Sequence, residues 1–327
     1  MRRQFFQKAI LALALAAGIS HGSAHADEYP SRAVDLVVGF APGGGADNAA
    51  RLIATYASQK WGQPVSVVNM PGASGITSTR QVVTGKADGY TLFMDVHATS
   101  SMLFAVQADV PFRMEDKTPI GLVTLDPVVF SVKSDSPWKT LRDVAEAAKA
   151  NPKAFRYPLG GVGAVASFAV PQFLQAARVP VTETNRVVFT GGAPALAALA
   201  GGHVDFAGQQ WSESAGLILG KKIRALAVVY PTRLPGFPDV PTVKEAGFPT
   251  LDVTGWHGIS GPPKLPKAVV AKWAALLEMA GKDPAFLERA SMINKIVAIK
   301  GPDAFWQFQQ EELKRYQPMA IQLGIRK

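Results

Sequence analysis

The stretch Val34-Asp35-Leu36-Val37-Val38-Gly39-Phe40-Ala41-Pro42-Gly43-Gly44-Gly45-Ala46-Asp47 decides the fold. Its first half is a short apolar run with the look of a buried strand. Its second half is a glycine-rich turn, and a helical pattern follows over 47–61. A second strand is predicted over 65–69, a second helix over 75–84 and a third strand over 90–96. This βαβαβ order implies a mostly parallel sheet with helices on its faces. Each of the three strands is followed by a loop of small or polar residues. In open α/β sheets that carboxyl edge is where ligands bind.

Three consecutive glycines let the backbone turn tightly and bring free N–H groups against a ligand. The helix start beyond them adds partial positive charge, so the loop suits an anion. One glycine would be read as a tight turn only; three point to binding. Asp47 either holds the loop through backbone hydrogen bonds or caps the helix, and capping is the plainer reading. Pro71-Gly72-Ala73-Ser74-Gly75 repeats the design after the second strand, with Ser74 as cap or anion donor. His97-Ala98-Thr99-Ser100-Ser101 follows the third, and His97 reads equally as ligand contact or as loop hydrogen-bonder.

A second block restarts the pattern. A helix is predicted over 141–150, a strand over 155–157 and a glycine turn over 160–163, then a helix to 177. Strands are expected over 187–190, 204–207 and 223–230, with a helix over 193–201 and the loop Thr190-Gly191-Gly192-Ala193-Pro194 before it. Gln209-Gln210-Trp211-Ser212 offers amide donors and one aromatic, Trp211, read as packing. His203 is read as a surface polar group. From Pro231 the chain becomes proline-rich, then helical over 267–280 and 302–322. That tail has too few expected strands for a sheet of its own and should fold back on the first lobe. The division is thus 27–125 with 231–327 as lobe I and 126–230 as lobe II, the crossings falling near 124–127 and 229–231.

Residues 1–26 stand apart. Arg2, Arg3 and Lys8 precede a short apolar run, and Ala24-His25-Ala26 is a small-x-small site, so cleavage is expected after Ala26. Export by the general route is the plainer reading, with a faint twin-arginine flavour. The destination is the periplasm. Removing three positive and no negative charges takes the net charge from +9 to +6. The surplus is modest and dispersed, unlike a nucleic-acid binder. The chain has no cysteine, so its stability in an oxidising compartment rests on a core, which 48% hydrophobic residues can supply.

Enzyme readings fail on specific absences. The loop lacks Gly-Lys-Ser/Thr, and the dinucleotide frame finds Asn48 in place of its third glycine. Gly72-Ala73-Ser74-Gly75 misses the nucleophile-elbow frame by one residue. Neither a His-x-x-x-His nor a cluster of acids suggests a metal, and no cofactor is expected. An α/β-hydrolase-like enzyme remains a remote alternative.

Several segments carry a family resemblance: Tyr29-Pro30-Ser31-Arg32, residues 40–47, Asn69-Met70-Pro71-Gly72-Ala73-Ser74-Gly75, and Ala87-Asp88-Gly89-Tyr90-Thr91-Leu92. Gly201-Gly202-His203-Val204-Asp205, residues 223–228 and residues 238–247 continue it in order over essentially all of the mature chain. The chain resembles the solute-binding receptors of tripartite tricarboxylate transporters, the Bug-type periplasmic receptors. The resemblance implies an α/β, two-lobed type II periplasmic-binding-protein fold, a Venus flytrap closing over a small carboxylate. A monomer that serves a membrane permease is expected, with a two-component sensor kinase as the alternative partner.

By the same resemblance, the loops holding Phe40, Ala41, Gly44, Ala46 and Asp47, and Ala73, Ser74, Gly75 and Ile76, pinch one carboxylate. His97 and Thr99 lie beside them. Gly161, Val162, Gly163, Ala164 and Gln209 read the distal part of the ligand. Ala164 stands where relatives often carry serine or threonine, Ser167 where histidine is common, and Phe189 where tyrosine is frequent. With no arginine or lysine on the distal loops, a dicarboxylate or aromatic acid is favoured over citrate.

Overall fold

The computed structural model describes residues 29–161, 163–189 and 191–326. The signal-peptide reading, Val162 and Thr190 lie outside the described residues. The opening run forms β1 (Val34–Val38), with Leu36 and Val38 fully buried and Asp35 facing out. α1 (Gly45–Trp61) follows, ended by Gly62 in the left-handed region that glycine tolerates. β2 (Val65–Asn69), α2 (Ile76–Val83) and β3 (Thr91–Val96) complete the unit. β1 pairs in parallel with β2 on one side and β3 on the other, so the three carboxyl ends share one edge. α3 (Ser101–Val106) follows the third loop.

The sheet is less parallel than the element order implied. Beyond β3 comes β9 (Thr254–Gly261), antiparallel both to β3 and to the first part of β4 (Thr118–Lys133), and β10 (Ile296–Lys300) closes the edge antiparallel to β4. Among the described strands, parallel ladders are confined to β2-β1-β3 and to a small separate sheet of β5 (Arg156–Leu159) and β6 (Asn185–Val188). The tail therefore does contribute strands. β9 escaped the sequence pattern because Thr-Gly-Trp-His-Gly-Ile-Ser-Gly shows no apolar alternation. Its glycines answer to packing: a Cβ on Gly258 would lie 2.3 Å from the Phe305 ring.

β4 joins the two lobes. Its residues up to Pro127 pair with β9, and from Val128 onward its neighbours are β7 (Ala207–Gln210) and β8 (Ile223–Val229). Around the second half pack α4 (Leu141–Ala150), α5 (Ala166–Ala176), α6 (Gly192–Gly201) and α7 (Trp211–Leu219). Phe130, Phe168, Phe173 and Phe206 form an aromatic core there, each contributing ~1.5–3 kcal/mol of burial. A second core lies between β1, β3, α1 and α8 (Lys267–Ala280), with Phe286 from α9 (Pro284–Met292) packed into it. The last helix, α10 (Pro302–Gln322), touches both halves. Phe305 packs on Trp256, while Tyr316 and Ala320 enter the cluster of Phe168. Among the described residues no helix is long and apolar enough to cross a membrane.

Candidate functional site

A cleft of about 550 Å³ opens between the lobes, at the carboxyl edge of β1 and β3. From lobe I it is lined by the loop after β1, and Phe40, Ala41, Gly44 and Ala46 all face it. Gly44, the residue before α1, is extended and the helix start has no side-chain cap. Its first amides are therefore left for another acceptor. Asp47 does not reach the cleft and does not cap. It is buried behind the loop, where its carboxylate accepts the Gly43 amide, Arg51 Nε and Asn69 Nδ2, each at 2.9 Å. Burial works to raise its pKa, but the bonds from Arg51, Gly43 and Asn69 outweigh it and hold the carboxyl below its ordinary value.

Ahead of α2, residues 73–75 form a run of left-handed backbone, with φ of 47° at Ala73, 55° at Ser74 and 88° at Gly75. Ala73, Ser74, Gly75 and Ile76 do not line the cleft. A Cβ on Gly161 would nevertheless stand 3.7 Å from Ser74 Oγ, so this loop abuts the second lobe's glycine turn at the mouth. Thr99 is also outside the lining. It is buried, donates to Asp95 Oδ1 at 2.9 Å, and packs against Gly75, whose Cβ would meet Thr99 Cγ2 at 2.5 Å.

His97 lies on the cleft wall. Its Nδ1 accepts the Trp256 amide at 3.3 Å, and burial brings its pKa down to about 4. The ring is thus neutral, with its proton on Nε2 and free to donate. Across the cleft stand Gly161 and Ala164 before α5, and Gln209, fixed on β7 by pairing with Val129. Gly163 turns away. Its φ is 70°, it rests on the backbone of Ala98, and it lines a second cavity on the far side of the turn.

Other residues complete the cleft. His257 of β9 lines its floor and stays neutral, its pKa pushed well down by burial, Lys295 and His97. Glu213 enters from the first turn of α7. Beneath the loop after β1, Lys295 and Asp126 form a fully buried ion pair, Nζ to Oδ2 2.5 Å. Ser212 joins it, its amide and hydroxyl donating to Asp126 at 3.0 and 2.6 Å. A Cβ on Gly45 would come within 3.1 Å of Lys295 Nζ, so the anion loop sits directly on this pair. Lys295, Asp126 and His257 come from segments far apart in sequence and carry no local signal; only the fold gathers them. Trp211 packs edge-on to Phe237, with ring centres 4.2 Å apart, in line with its reading as a packing residue.

Residues 49–325 match the family model described as the tripartite tricarboxylate transporter family receptor. The chain belongs to the tripartite tricarboxylate transporter receptor family. A UPF0065 protein of Bordetella pertussis is 30% identical over 319 residues, 97% of this chain and 96% of that one. Among solved structures, MatC of Rhodopseudomonas palustris with bound malate superposes with a TM-score of 0.78 at 29% identity, over 89% of this chain and all of MatC. The periplasmic binding protein BugD gives 0.79 at 29% identity, over 91% of this chain and all of BugD. This receptor is therefore a periplasmic-type solute-binding protein of the two-lobed fold and not an enzyme, and the hydrolase alternative falls.

Proposed function

We propose that this receptor captures a small organic acid in the periplasm and hands it to a tripartite tricarboxylate-type permease. The observation that carries the reading is the uncapped start of α1. Its free amides open into the cleft from Gly44 and Gly45, where an anion is favoured by both hydrogen bonding and the helix dipole. The loop holding Phe40, Ala41, Gly44 and Ala46 takes the carboxylate, with His97 Nε2 as a further donor. Asp47 and Thr99 hold that loop and its neighbour in shape.

Ser74 and its loop complete the grip as the lobes, 27–125 with 231–327 and 126–230, close about β4. On the distal side, Gly161, Ala164 and Gln209 offer small surfaces and one amide. Among the described residues no lysine or arginine lines the cleft. That supports a dicarboxylate or an aromatic acid over citrate. The likeness to MatC with bound malate supports the carboxylate class.

Isothermal titration of the purified mature chain against a panel of mono-, di- and tricarboxylates tests the reading. Micromolar binding of at least one acid is expected. If no acid binds tighter than millimolar while a neutral sugar or an inorganic cation does, the reading is wrong. Loss of uptake of that acid on deletion of the gene separates delivery to a permease from signalling.

A further inference from the structure

The two walls of the cleft have opposite electrostatic needs. On the lobe I wall the uncapped start of α1 suits an anion. On the lobe II wall stands the carboxyl of Glu213. Its backbone is anchored by its neighbour Ser212, whose amide and hydroxyl both donate to Asp126. The carboxyl lies flush on Gly192, the first residue of α6, where a Cβ would meet Oε2 at 1.9 Å. It therefore occupies the place on lobe II where a helix start would otherwise favour an anion of the ligand.

Among the described residues the Glu213 carboxyl accepts no side-chain hydrogen bond and forms no ion pair of its own. Every other ionisable group facing it is accounted for. His97 and His257 are held neutral by burial, α6 contributes no ionisable side chain, and Lys295 is committed to Asp126. Burial, reinforced by Asp126 and partly offset by Lys295, pushes the Glu213 carboxyl up to about 7. A second ligand carboxylate arriving here would add like-charge repulsion to an acid already short of solvation. A cation would relieve both.

Resting on the carboxylate reading above, we propose that Glu213 is the specificity-determining residue of the cleft. It pairs with a protonated nitrogen of the ligand, so the preferred solute is a small carboxylate that also carries an ammonium group. The cleft is complementary to a zwitterion, gripped by its carboxylate on lobe I and its nitrogen on lobe II.

Matched ligands test this, each pair exchanging one carboxylate for an ammonium-bearing end: glutarate with 4-aminobutyrate, succinate with β-alanine, terephthalate with 4-(aminomethyl)benzoate. Titration calorimetry on the mature chain should show, for at least one pair, the amino member binding about tenfold or more tighter, the scale of a charge-assisted hydrogen bond. Glu213→Gln should cut that ratio by a similar factor. Repeating the titration near neutral pH in two buffers of different ionisation enthalpy should show proton release with the amino ligand, because the cation returns Glu213 to its charged form. If diacids bind and their amino partners bind no better, or if the Gln variant keeps the wild-type ratio, the role of Glu213 is overturned and the carboxylate reading stands. If neither member of any pair binds while another carboxylate does, the role of Glu213 is overturned and the carboxylate reading stands; if no acid of any class binds tighter than millimolar, both fail. The wild-type ratios decide the matter even if the variant does not fold.

Discussion

Replacing Asp47 with alanine should destabilise the receptor by removing the post behind its anion loop. The Asp47 carboxylate accepts three bonds of 2.9 Å, from Gly43, Arg51 and Asn69. Arg51 is about half exposed, so its share is discounted to ~0.5 kcal/mol. The Gly43 and Asn69 donors are partly open to water, and each contributes ~1 kcal/mol instead of the full value of a charged hydrogen bond. The total of ~2–3 kcal/mol corresponds to a fall in Tm of about 3–5 °C in a chain of this size. Scanning calorimetry without ligand measures it, and amide exchange should show Gly43 losing protection.

The pH dependence has a definite sign. The Asp47 carboxyl titrates below its ordinary value when folded. Its contribution is therefore complete above the ordinary carboxyl range and disappears as pH falls through the lowered folded value. The Tm gap between wild type and variant should close in acid. A gap below about 1 °C at neutral pH, or one that persists unchanged into acid, would refute the reasoning.

Gly75→Ala forces a Cβ to 2.5 Å from Thr99 Cγ2 at a φ of 88°. A loss of ~2–4 kcal/mol is expected from strain and overpacking, read by urea denaturation; wild-type stability would show that the loop yields freely. Lys295→Met leaves Asp126 buried without its cation and should cost ~3–5 kcal/mol, while the double variant Lys295→Met/Asp126→Asn should recover part of it. No recovery would mean that Lys295 acts by its packing. His97 titrates at about 4 when folded against 6.5 when free, so the unfolded chain binds the extra proton between those values. Stability should fall by up to ~3 kcal/mol as pH drops through that window, and His97→Gln should flatten the fall in thermal melts. An unchanged slope in that variant would assign the acid lability to other groups.

Much of the site's first half was legible in the sequence. Strand, glycine turn and helix start are local events, set by side-chain period and by the backbone freedom of Gly43 to Gly45, and β1, α1, β2 and β3 appear where those signals put them. Local chemistry likewise marked the glycine loop and His97 on the lobe I wall, while Phe40, Ala41 and Ala46 were indicated by the family resemblance. Asp47 was found by its position at a helix start, but its work is to hold Gly43, which is a matter of where the turn folds back.

The tertiary structure decided the rest. β9 is a strand because Phe305 and the flanks of β3 and β4 fill the space over its glycines, and no period in its own residues announces that. β4 serves both lobes because its neighbours change after Pro127, a fact about partners and not about its own sequence. The ion pair of Lys295 and Asp126, the neutral His257 and the isolated Glu213 come from segments separated by up to 169 positions. Charge states and contacts of that kind depend on burial and on neighbours brought from elsewhere. The sequence by itself determined that an anion would be met by backbone amides at a helix start. Only the fold determined what faces that anion from across the cleft.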